Sequence, residues 1–190
     1  MKKGFTCVLL LCFLFSCGQS DSSIKSQTKT ATTRPTNEKD IDLKKMREQY
    51  VLNYNKPENF ESQLKGSNGE NVKVIGKYYC LFDNGILVPG KYNLDDTTKT
   101  FKTHNFAEHI TIIINSDTII REIFTKQNFE ITLPQYLKDY AVLKEPRFEG
   151  YNSKLGTFDF NFSVSIPLSD VGEARLIRIF KSGIIEVYKP

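Results

Sequence analysis

The chain has 190 residues, 39% of them hydrophobic, and 26 basic against 22 acidic side chains give a formal charge of +4. That is the length of one domain, enough for a hydrophobic core without metal or disulfide staples. A charge this near neutral argues against a nucleic-acid partner, which would need a concentrated basic footprint.

Lys2 and Lys3 precede an apolar run from Gly4 to Phe15. The run is shorter than the roughly 20 residues of a spanning helix and has the length of a secretory signal. It ends at "LFSCG": Leu14 stands three residues before Cys17, Ser16 directly before it, and the polar tract "GQSDSS" begins at once. This pattern resembles the lipobox of bacterial lipoproteins, with Phe15 bulkier than that family prefers. The resemblance implies cleavage after Ser16 and lipidation of Cys17. Gly18, where an aspartate would signal inner-membrane retention, implies the outer membrane. One acyl chain holds only marginally at about 0.8 kcal/mol per buried methylene, whereas three on one cysteine hold for practical purposes.

From Gly18 to Asp40 the chain is rich in Ser, Thr, Gln and Lys, with Ile24 its only large apolar residue. Such a tract buries too little to offset its ordering entropy and reads as a flexible stalk, spanning about 25 Å as a random coil. The expected division is therefore 1–16 signal peptide, 17–40 lipidated cysteine and stalk, and 41–190 a single β-rich domain with an N-terminal helix. That helix is read in "DIDLKKMREQYVLNY", where Leu43, Met46, Tyr50 and Tyr54 recur every three or four residues. Asp40 is its expected N-cap, and "NKP" ending at Pro57 its stop.

Beyond the loop "GSNGE" the period changes. "VKVIGKYYCLF" reads as a strand leading through "DNG" into a hairpin turn. "HITIIIN" and "TIIREIF" flank a second turn at Ser116 and Asp117. "LPQYLKDY" reads as a short helix opened by Pro134. "GTFDFNFSVSIP" is the clearest strand: Phe158, Phe160, Phe162, Val164 and Ile166 share one face, and Asp159, Asn161, Ser163 and Ser165 the other. "ARLIRIF" and "IIEVYK" close the chain as a hairpin around "KSG", with Arg175 and Arg178 read as part of a solvated strand face. Short strands joined by hairpins predict an antiparallel β-sandwich with one or two short peripheral helices; an open lipocalin-like barrel is the alternative.

Chemistry is sparsely signalled. Cys7 and Cys12 would leave with the signal, so Cys80 alone remains in the domain and is expected to be a buried small hydrophobe. His104 and His109, with Glu108, Asp95 and Asp96, make the one conceivable metal group, but His-x4-His is no zinc signature. A carboxylate pair such as Asp95 with Glu108, or Glu145 with Glu149, lacks a geometric warrant at this level. There is no G-x-S-x-G elbow, P-loop or dinucleotide fingerprint. Tryptophan is absent, which weakens a sugar-stacking platform, though "KYY" and "QYLKDY" supply tyrosines. No catalytic, metal or cofactor residue is therefore assigned.

In layout, "FSCG", polar stalk and compact β-domain, the chain resembles small Gram-negative lipoproteins of unknown function. The expectation is a non-enzymatic binding or assembly lipoprotein, attached to the membrane through its lipid and facing an envelope protein partner. The alternatives are an inhibitor or immunity-type lipoprotein that binds one protein, and an envelope enzyme using His104 or His109.

Overall fold

The computed structural model describes residues 38–93 and 97–190, with side chains from residue 45 onward. Cys17, the expected stalk up to residue 37, and Asp95 and Asp96 lie outside the described residues. A helix, α1 (Glu38–Leu52), runs into a 3₁₀ turn at Asn53–Asn55. Asp40 therefore lies inside the helix and is not its cap. Of the expected stripe, Tyr50 and Tyr54 pack on the core while Met46 is exposed.

The strands follow in order: β1 (Glu58–Lys65), β2 (Asn71–Cys80), β3 (Ile86–Val88), β4 (Phe101–Thr103), β5 (Phe106–Ile114) and β6 (Asp117–Thr125). After a 3₁₀ segment (Lys126–Thr132) and α2 (Gln135–Tyr140) come β7 (Val142–Leu143), β8 (Arg147–Asn152), β9 (Thr157–Ser165), β10 (Gly172–Phe180) and β11 (Ile185–Tyr188). One sheet has the order β1-β2-β5-β6. The other runs β11-β10-β9, with β7 and β8 both pairing β9 along its far edge. Both are antiparallel, and neither path closes on itself, so the fold is a β-sandwich and not a barrel. Phe124 of β6 meets Phe162 of β9 at 5.3 Å between ring centroids, joining the two inner faces.

The alternation in β9 is realised in full: Phe158, Phe160, Phe162, Val164 and Ile166 are completely buried, and the residues between them are half-buried. The β5–β6 turn falls one residue earlier than expected. Asn115 and Ser116 both have positive φ, the conformation that matches a two-residue turn to the twist of its strands. "DNG" does not make a hairpin. β2 pairs with β1 and β5, whereas β3 pairs only with β4, because the Asp83 carboxylate takes N–H bonds from Gly85 and Asn105 and turns the chain out of the sheet.

Arg175 is a second correction. It shares the inward face of β10 with Ile177 and Ile179 and is completely buried. Its guanidinium donates to Thr132 Oγ1, the Thr132 and Ala174 carbonyls and the Glu173 carboxylate, so the charge is paired and the two bonds to Thr132 fasten the 3₁₀ segment to the sheet. Arg178 points the other way and pairs with Asp159 at 2.8 Å on the half-exposed face.

The end of α1 is fastened through hydroxyls. Tyr54 donates to Thr103 Oγ1 at 3.1 Å, and the Tyr50 hydroxyl lies 3.3 Å from the same atom. Tyr54→Phe is expected to cost about 1 kcal/mol, one buried neutral hydrogen bond, because Thr103 keeps Tyr50 as a partner. Urea melts of the two proteins measure it, and an unchanged midpoint would show that packing alone holds the helix.

Candidate functional site

The register of the first sheet builds a row that no linear motif contains. Glu58 of β1 stands opposite Tyr78 of β2, and Tyr78 stands opposite Glu108 of β5. Directly paired residues share a face, so two carboxylates flank one tyrosine on the inner side. The Tyr78 ring stacks on Phe106 at 5.0 Å and 8°, and its hydroxyl reaches across the sandwich to the Leu143 carbonyl at 2.8 Å. On the far side β7 stops because Pro146 lacks an N–H and holds Glu145 extended. Lys144 and Glu145 are thereby delivered next to the row.

Glu58, Tyr78, Phe106, Lys144 and Glu145, with Tyr50 from α1, line a cleft of about 260 Å³. Its charges are poorly matched. Glu145 lies beside the Glu58 carboxyl, and burial together with that like-charged neighbour raises its pKa. Lys144 places its Nζ 5.2 Å from the Tyr50 ring centre, and burial alone pulls its pKa down. No ion pair between these lysine and glutamate side chains occurs among the described residues. Burial keeps the Tyr50 and Tyr78 hydroxyls protonated well above the usual tyrosine range.

Glu108 lies behind Tyr78, completely buried, and neither carboxylate oxygen has a hydrogen-bond partner. Burial first, then the Glu145 charge, raises its pKa to about 8; only the nearby Lys77 amide pulls the other way. Gly76 makes room for it. A Cβ there would overlap the Phe60 ring and Glu108 Oε1, which is the close approach an interior strand glycine permits.

The histidines do not converge. His104 sits between β4 and β5 with Nδ1 2.9 Å from the Asp83 carbonyl oxygen. His109 lies on β5 one residue from Glu108, hence on the opposite face of the sheet. Among the described residues no three His, Cys, Asp or Glu side chains could hold a metal. Glu149 pairs with Arg147 at 2.7 Å and forms no site with Glu145. Cys80 is buried, and its thiol pKa is raised by burial, the opposite of what a nucleophile needs.

A second feature lies at the other side of Tyr79. Phe82 has φ +49 yet leaves its side chain 55% exposed, above a hollow lined by Tyr54, Pro57 and Tyr79. A bulky residue in the left-handed region is strained, and here little burial repays it. No protein-family model matches the chain, and no curated protein matches it.

Proposed function

We propose that this chain is a lipoprotein anchored in the outer membrane through Cys17, and that its β-sandwich is a non-catalytic binding module for the cell envelope. The observation that carries the binding role is the cleft under α1, where an amine without an ion-pair partner and two adjoining carboxyls face one aromatic-lined space. Water reaches the exposed Glu58 and Glu145 carboxyls and the half-buried Lys144 in the free chain, and a bound ligand of opposite charges would match all three in its place. The lipobox pattern at Leu14 to Cys17 supports the attachment, and no helix among the described residues is long and apolar enough to cross a membrane.

Two measurements test the two halves. Cys17→Ser is expected to move the protein from the membrane pellet to the soluble fraction with its β-sandwich circular dichroism intact; a variant that still pellets with the outer membrane removes the anchor. For the binding role, the purified chain is dialysed against small molecules extracted from envelopes and read by native mass spectrometry. Wild type is expected to retain a mass that Lys144→Met loses. Extracts that leave both masses unchanged remove the cleft as a binding site.

A second reading, an immunity-type lipoprotein that binds one protein, draws on Leu81 and Phe82, exposed apolar side chains of which the second sits on a strained backbone. A partner lost with Phe82→Ser and kept with Lys144→Met would favour it.

A further inference from the structure

Resting on the cleft as the binding site, we infer that its ligand is a small zwitterion of amino-acid size, its ammonium seated between Glu58 and Glu145 and its anionic group on Lys144. The volume of about 260 Å³ lies just under the roughly 300–1,000 Å³ of drug-sized sites and suits an amino acid or dipeptide. Charges of both signs line it without pairing one another. An anion alone would satisfy Lys144 and leave the Glu58–Glu145 repulsion in place. A cation alone would relieve that pair and leave the amine partnerless over Tyr50. A molecule carrying both, a few bonds apart, satisfies each in one step.

The aromatic surfaces say where the rest of the ligand goes. The stacked Tyr78 and Phe106 rings and the Tyr50 ring offer an apolar floor. The Tyr78 hydroxyl is committed to Leu143 and the Tyr50 hydroxyl to Thr103, so neither is free to read a polar side chain. An apolar or aromatic amino acid is therefore preferred over a polar one.

Seating an ammonium beside Glu145 favours its ionised form and expels the proton that its raised pKa retains. Binding then releases a proton at pH values below the raised pKa of Glu145 and tightens as the pH climbs through it. Lys144 opposes this at alkaline pH, because its lowered pKa costs it the charge that holds the anionic group. Lys56 and Tyr79 at the rim, the protonated Tyr50 and Tyr78 hydroxyls, and Glu108 behind Tyr78 complete the titratable surroundings. Glu108 is completely buried and feels the Glu145 charge, so it shifts with that carboxyl and is no independent control.

The test uses the full lipidated chain in detergent and free L-amino acids at millimolar concentration, read by thermal shift and then by calorimetry. L-phenylalanine or L-leucine is expected to raise the melting temperature, and N-acetyl-L-phenylalanine and L-phenylalanine amide to lose at least about tenfold in affinity, as does binding to Lys144→Met or Glu145→Gln. Calorimetry in two buffers of different ionisation heat should report proton release that Glu145→Gln abolishes. The zwitterion is overturned if no free amino acid shifts the melt, or if the N-acetyl or amide derivative binds as well as the parent. It is also overturned if Lys144→Met and Glu145→Gln both bind normally. Equal binding of a singly charged derivative that Lys144→Met still weakens overturns the ligand class while the cleft remains a binding site.

Discussion

Phe160→Ala is expected to destabilise the domain by about 3–5 kcal/mol, a large part of the roughly 5–15 available to a whole domain. Phe160 is completely buried on β9, with β8 on one side and β10 on the other: its paired residues are Phe148 and Ile177. The Phe148 ring lies 5.0 Å away at 45°, so truncation removes an aromatic contact as well as buried area and leaves a cavity in the middle of the sheet. Asn161→Ala, one residue on and facing outward, should cost no more than about 0.5 kcal/mol. The contrast reports register, because a slip of one residue would exchange the two faces. Urea melts of the two variants decide it: comparable losses would mean that both faces of β9 are buried, and a mild Phe160 effect would put the phenylalanine row at the surface.

That strand was legible in the sequence because its two faces differ sharply in polarity. Where the contrast fades, so does the reading. β1, "ENFESQLK", is an edge strand with exposed and half-buried positions only, and its inward residues include Glu58 and Ser62 beside Phe60 and Leu64. Its period-two signal is diluted by polar residues on both faces. In "ARLIRIF" two arginines three apart must lie on opposite faces of a strand, and Ile177 and Ile179 show that Arg175 shares theirs. The signal was present, but general solvation of arginine outweighed it. The "DNG" tripeptide has hairpin chemistry, and tertiary bonds from Asn105 to Asp83 override it.

The cleft is a different matter. Glu58, Tyr78 and Glu108 are separated by dozens of residues and become neighbours only through the pairing of β1 with β2 and β2 with β5. Glu145 arrives from the other sheet. No spacing rule spans such distances, so a sequence rich in Asp and Glu offers many carboxylate pairs and no means of choosing one. One local clue existed. Gly76 interrupts the inward face of β2, otherwise Val72, Val74, Tyr78 and Cys80, and an interior glycine marks a close approach; the approaching groups are Phe60 and Glu108.

Glu108 carries the second large effect, a loss of stability on the order of 3–4 kcal/mol between about pH 5 and pH 8, the part falling in that window of a rise from 4.5 to about 8 at roughly 1.36 kcal/mol per unit. The direction follows from proton binding. The folded chain holds the Glu108 proton more tightly than the unfolded chain, so the stabilisation is complete below the unfolded pKa and is lost as the pH rises through the folded one. Glu145, also raised, adds to the decline, whereas Asp83 and Glu173, held below the usual range, favour the fold once the pH exceeds their values. Maximum stability is therefore expected near about pH 5, between these opposing groups. Glu108→Gln keeps the shape without the titration and should flatten most of the slope. Glu108→Met also removes the unpartnered polar atoms, and it should exceed wild type in stability at about pH 8.5, since a buried charge without a partner costs more than an apolar side chain of similar length. Urea midpoints of the three proteins at the two pH values measure this. An undiminished slope in Glu108→Gln would show that the carboxyl is ionised and solvated throughout, and the row beside Tyr78 would then be open to water.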